Sequence, residues 1–236
     1  MHRNWWALLL LLVVACGGTT STATSPTASP TAPPPPTLSP SSPPPSPAAG
    51  SRVIAVTETG LGSYLETTVP VAILRSASTG EVANQVTVHL AVTTPLRRTV
   101  TSTDVSVASI APGAMVVVTA RVSGALRGDR VVAMVGVGEW SPVSPATSTL
   151  TASAGAPSCN GCARGGSGAL AVSVSGDTQG GLLQVGAACR DAGGNIVGGG
   201  SALHPGGASP VAVTVPIILS APAATCAEVS ATPGSF

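Results

Sequence analysis

Period-two alternation of apolar and polar residues, turn signals at short spacing, and no stretch with helical periodicity predict an all-β protein. The expected architecture is two small antiparallel β-sandwiches, residues 51–140 and 168–236, joined by a linker over 141–167. Composition agrees with this class. Of the 236 residues, 44% are hydrophobic and only 2% aromatic, and the apolar mass is Val, Ala and Leu in short runs. About 185 residues remain beyond the N-terminal region, enough for two modest cores.

The alternation is clearest in two places. Val86, Val88, Leu90 and Val92 interleave with Thr87, His89, Ala91 and Thr93, and Val116, Val118, Ala120 and Val122 interleave with Val117, Thr119, Arg121 and Ser123. Further strands are expected at Val53–Glu58, Val69–Arg75, Val100–Ile110 and Arg130–Gly138. Thr79-Gly80, Thr94-Pro95, Ala111-Pro112-Gly113 and Arg127-Gly128-Asp129 supply the intervening turns. Residues 141–167 turn polar, with Pro and Gly punctuation, and carry Cys159-Asn160-Gly161-Cys162 in the expected linker. Alternation resumes at Leu170, Val172 and Val174, then at Leu183, Val185, Ala187 and Cys189. A turn at Asp191–Asn195 follows, then Ile196-Val197, a Pro205-Gly206-Gly207 turn, Val211 to Ile217, and a last strand near Thr225–Ala231.

The N-terminus reads differently. Arg3 precedes an uncharged apolar run, Ala7 to Ala15, that ends directly on Cys16. The run is too short for a bilayer-spanning helix, which needs about 20 residues, and has the length and flanks of a signal-peptide h-region over residues 1–15. Val13-Val14-Ala15-Cys16 resembles the lipobox of bacterial lipoproteins, with Val where Leu is more usual. That resemblance implies removal of the preceding peptide, diacylation of Cys16, and anchorage on the outer face of a cell membrane. Residues 16–50 continue as a Pro/Ser/Thr-rich tract without a charge, holding half of the chain's 22 prolines. Such a tract cannot bury a core. Extended at about 3.1 Å per residue it reaches roughly 100 Å, the span of a tether from lipid to folded body.

In the second half, Ser175-Gly176, the Leu183–Asp191 strand, Gly193-Gly194-Asn195-Ile196-Val197-Gly198 and Pro205-Gly206-Gly207-Ala208-Ser209-Pro210 resemble the FxLYD family. These are small immunoglobulin-like β-sandwiches of bacterial envelope proteins. The likeness covers residues 168–231. At the family's signature position stand Ala187, Ala188, Cys189, Arg190 and Asp191, of which only the Asp matches. The resemblance implies an immunoglobulin-like sandwich in an accessory or interaction role, without enzymatic activity. Residues 52–139 follow a similar strand and turn plan.

Chemistry-bearing constellations are sparse. With Cys16 assigned to lipid, Cys159, Cys162, Cys189 and Cys226 form an even set in an exported chain, which argues for two disulfides. Cys159–Cys162 with Cys189–Cys226 is the expected pairing, since the first pair shares one Gly-rich loop. Strand parity places Cys226 with Glu228 rather than Val229, so that pairing requires a bulge or a strand start. A four-cysteine zinc site is the rival, although a second close pair is missing. Gly60-Leu61-Gly62 and Gly166-Ser167-Gly168 echo dinucleotide fingerprints, but β-branched residues, Pro70 and a following strand exclude the required helix. They are expected as turn glycines. His89, on the polar face of a strand, and His204, before Pro205, are expected to be solvated. Asp191 with Asn195 falls short of a calcium cage and is expected as a β-turn.

A net charge of +1, with 10 Arg, no Lys and 9 acids spread over both halves, leaves no electrostatic footprint for nucleic acid. The expected function is therefore a non-enzymatic, lipid-anchored envelope protein, without cofactor or resident metal, whose β modules serve structural or protein-interaction roles. A ligand-binding lipoprotein of a transport or sensing system is the alternative. A carbohydrate module would want more aromatic platforms than Tyr64, Trp140 and Phe236. The partner and the oligomeric state are not specified by the sequence.

Overall fold

The computed structural model describes residues 51–234, apart from 125–128, 145–148, 159–163 and 179. Thirteen strands and no α-helix occur among the described residues, so the all-β class read from the alternation holds. The first half contains two sheets. One is β1 (Ile54–Tyr64), β2 (Thr67–Ser76) and β5 (Met115–Thr119) in that order, with short β6 (Val122–Ser123) also on β2. The other is β3 (Glu81–Thr93) flanked by β4 (Thr99–Ile110) and β7 (Arg130–Pro142). The second half is one six-stranded sheet. It is made from β8 (Thr151–Ser158), β9 (Gly166–Ser175), β10 (Leu182–Arg190), β11 (Ile196–Pro205), β12 (Val211–Leu219) and β13 (Thr225–Pro233), in the order β13-β10-β11-β12-β9-β8. All pairings are antiparallel.

Each half has its own core, formed by the alternating residues. Val86, Val88, Leu90 and Val92 are all fully buried, and the first three pack with Ala72, Leu74, Val116 and Val118 from the facing sheet. In the second half Leu170, Val172 and Val174 meet Leu183, Val185, Ala187 and the Val211–Ile217 row. The six-stranded sheet folds over on itself, so that edge strand β13 lies against the opposite edge β8.

A third cluster joins the halves. Val69, Val71 and Ile73 of β2 and Val117 of β5 point away from the first core and pack on Ala188 of β10, Ile218 of β12 and Ile196. Strand β2 is thus buried on both faces, and all described residues fall in one compact unit. Burying each Val or Ile contributes roughly 1.5–3 kcal/mol. Several such residues rival the whole ~5–15 kcal/mol margin of a typical domain, so this layer couples the halves energetically.

Two segments differ from expectation. The expected linker over 141–167 contains the end of β7 and all of β8. Strand β8 pairs along β9 and lays Ala152 and Ala154 on the second core. Its small Ala, Ser and Thr residues carry too little hydrophobic contrast for the alternation to register. Gly60, Gly62, Gly166 and Gly168 are not turn residues but lie inside β1 and β9. The reason in β1 is proximity: a Cβ on Gly62 would stand 2.2 Å from the Ile218 carbonyl oxygen, so only glycine allows β12 this close. Gly186 of β10 plays the same part opposite β5, where a Cβ would come within 2.1 Å of the Val117 carbonyl oxygen.

Candidate functional site

The disulfide framework is partly visible. Cys189 and Cys226 are bonded and buried, at 0% and 2% exposure, and tie β10 to β13 at the margin of the second core. The parity problem is solved by a bulge. Between the pairs Ala188↔Glu228 and Arg190↔Thr225, β13 spends one residue more than β10, which turns Cys226 inward beside Val229. These two sulfurs are therefore not available as thiolate ligands for the four-cysteine zinc alternative. Cys16, Cys159 and Cys162 lie outside the described residues.

On the other face of β10, Arg190 forms the electrostatic centre of the junction. Its Nε and Nη2 donate to Glu228 Oε2 and Oε1 at 2.9 and 2.8 Å. Nη1 and Nη2 donate to Glu58 Oε2 and Oε1 at 2.6 and 2.9 Å, and Nη1 also donates to the Gly194 carbonyl at 2.6 Å. A second bulge makes this geometry. The β1–β2 register slips between Val56 and Glu58, so Ile54 and Val56 face the first core while Glu58, Gly60 and Gly62 face the second half. Hydrogen bonding to Arg190 holds the Glu58 carboxyl below its ordinary value of 4.5, and the two carboxylates together raise the Arg190 guanidinium. A backbone-to-side-chain link lies in the same layer: Val117 N donates to Ser230 Oγ at 2.8 Å.

Along the same junction opens a groove of about 510 Å³, lined by Asp104 and Ser106 of β4, Thr119 of β5, Gln184 of β10, and Ser201 and Leu203 of β11. Val105, Ala202 and Leu203 share the lining, so polar and apolar surface contribute about equally. The Thr119 hydroxyl is buried and has no hydrogen-bond partner among the described residues. At the rim, His89 Nδ1 and Asp104 Oδ1 meet at 2.7 Å, directly across β3 and β4. The histidine expected to be solvated therefore has a partner. Its signal was present in the sequence only as a His and an Asp on successive strands whose register was unknown.

The remaining candidates are structural. His204 Nδ1 lies 2.6 Å from the Pro205 carbonyl oxygen. Asp191 closes the expected turn by accepting from Asn195 N at 2.9 Å and from the Asn195 side-chain amide, which holds its carboxyl below the usual carboxylate range. Among the described residues no group of three His, Cys, Asp or Glu is placed to hold a metal ion. Sequence reasoning missed Arg190, Glu58 and Thr119, since each acquires its setting from a bulge or from packing between the halves. Comparison of the chain with protein-family models, curated proteins and solved structures returns no match.

Proposed function

We propose that this is a non-enzymatic lipoprotein of the cell envelope. It is anchored through lipid on Cys16, and the tract over residues 16–50 tethers its folded body to the membrane. It presents a β body, built as two immunoglobulin-like modules, for structural or protein-interaction work. The observation that carries the reading is the apolar run ending on Cys16 and followed at once by a charge-free Pro/Ser/Thr tract. The buried Cys189–Cys226 disulfide fits export to an oxidising compartment. The test is Triton X-114 partition of membranes from cells expressing the chain, beside metabolic labelling with a fatty acid. The wild type enters the detergent phase labelled, whereas Cys16→Ser carries no label. An unlabelled wild type contradicts the anchor.

The groove at the junction favours a second reading, a lipoprotein that binds a small polar ligand. Its about 510 Å³ falls within the range of small-molecule sites. Asp104, Ser106, Gln184 and Ser201 set polar side chains along it. Under this reading Gln184→Ala with Ser201→Ala abolishes ligand-induced thermal stabilisation in a screen of sugars, amino acids and short peptides. If no compound in the screen raises the melting temperature of the wild type, this second reading fails.

A further inference from the structure

One end of the first half presents bare apolar side chains beside arginines that form no ion pair among the described residues. Leu96, at 85% exposure, and Leu65, at 71%, are the two most exposed large hydrophobic residues among those described. Leu65 sits at the tip of the two-residue β1–β2 hairpin, next to exposed Tyr64, and Leu96 at the tip of the β3–β4 hairpin. Both tips also hold a backbone conformation that side chains rarely adopt, with φ +52° at Leu65 and +60° at Arg97. Glycine usually fills such a place in tight hairpins. Retaining Leu and Arg there costs conformational energy and keeps two side chains facing solvent, a pattern associated with functional surfaces. The β3–β4 tip is well fixed: Arg97 N donates to Thr94 O at 2.8 Å, Thr94 N to Arg98 O at 2.9 Å and Arg98 N to Thr94 Oγ1 at 3.2 Å.

The two tips share an end of the fold. Gly124 N donates to Glu66 O beside the first tip, and Arg130 pairs with Thr93 at the base of the second. Five residues, 125–129, connect Gly124 to Arg130, which limits the separation of these two to about 20 Å. Arg97, Arg98 and Arg130 are exposed and form no ion pair among the described residues. The acids nearby are Glu66 and Asp129.

We propose that this end docks on an anionic lipid bilayer, with Leu65 and Leu96 entering the boundary between headgroups and acyl chains while Arg97 and Arg98 meet lipid phosphates. Isolated apolar side chains on separate tips, flanked by cations, suit an interface that is apolar inside and anionic at its rim. They suit a protein partner less, because a stable interface buries about 800 Å² per side around a contiguous centre. This surface lies in the β body and does not depend on lipid at Cys16.

The experiment is co-sedimentation of the full chain carrying Cys16→Ser with vesicles of phosphatidylcholine alone, or with about one third phosphatidylglycerol added. Any binding by the N-terminal apolar run is common to every variant. The proposal predicts that phosphatidylglycerol strengthens binding, and that Arg97→Gln with Arg98→Gln weakens that binding by about thirtyfold. Leu65→Ser with Leu96→Ser weakens it on both vesicle types, whereas Met134→Ser, an exposed methionine on β7, leaves it unchanged. Unaltered melting temperatures show that the variants fold. Equal binding of wild type and both tip variants to the phosphatidylglycerol vesicles overturns the proposal.

Discussion

Arg190 concentrates more of the junction's polar energy than any other side chain, since it binds two carboxylates and a backbone carbonyl while itself only 17% exposed. Hydrogen bonds to charged groups are worth about 1.5–3 kcal/mol when half-buried, and removing one partner strands the others. Arg190→Met leaves Glu58 and Glu228 facing each other and is expected to lower the melting temperature by roughly 4–8 °C at neutral pH. Differential scanning calorimetry checks this. Acid should affect the cluster in a defined direction. The Glu58 carboxyl is depressed in the folded state, so its contribution is fully present above about pH 4.5 and is lost as pH falls through the lower folded value. Thermal melts from pH 6 down to about pH 3 should therefore show a steep acid limb in the wild type, less steep in Glu58→Gln. Identical limbs would mean that Arg190 and Glu58 do not interact in solution. Thr119 provides an independent test of packing. In the absence of ligand, Thr119→Val replaces an unpartnered buried hydroxyl by a methyl group and should leave stability unchanged or raise it by up to about 1 kcal/mol.

At the scale of elements, β-bulges decide which chemistry meets which. The slip at Glu58 turns β1 from the first core toward the second half, and the slip in β13 brings Cys226 to Cys189. The strands themselves were legible because each alternating row, such as Val86 to Val92 or Leu170 to Val174, buries one face against a single core. The requirement for a bulge near Cys226 was legible too, since parity and the disulfide could not both hold without it. Contacts between halves were not legible. Val69–Leu74 and Met115–Val118 are nearly continuous apolar runs, the pattern of strands covered on both faces, yet nothing local names the surface that covers them. Gly60 and Gly62 looked like turn residues for the same reason, because close approach by a distant strand leaves no local trace. Gly62→Ala is expected to force β1 away from β12 and cost about 1–3 kcal/mol, read as a shift of the urea midpoint. The same substitution at Gly113, in an open turn with no atom within 4 Å but φ +67°, should cost about 1 kcal/mol through backbone strain alone. Equal losses at both positions would argue against tight packing between the halves.

At the scale of the whole molecule, the shared layer of Val69, Val71, Ile73, Val117, Ala188 and Ile218 ties two cores into one body. Two separate sandwiches would melt in two steps, with reductant lowering only the second half. The doubly buried β2 predicts instead one calorimetric transition for the described residues, moved downward as a unit when Cys189–Cys226 is reduced. A cross-link at a sequence separation of 37 residues contributes roughly 3–4 kcal/mol in the chain-entropy account, enough for a clear shift. A reductant-sensitive lower transition beside an unaffected upper one would show that the halves fold independently. The functional account rests on the other end of the chain, where an apolar run meets Cys16 and a charge-free tract leads to the β body. Its most direct test is mass spectrometry of the N-terminal peptide from protein extracted with detergent from cell membranes. The account predicts a chain that begins at Cys16 and carries a diacylglyceryl mass on its sulfur, and an N-terminus at any other residue, or an unmodified Cys16, would contradict it.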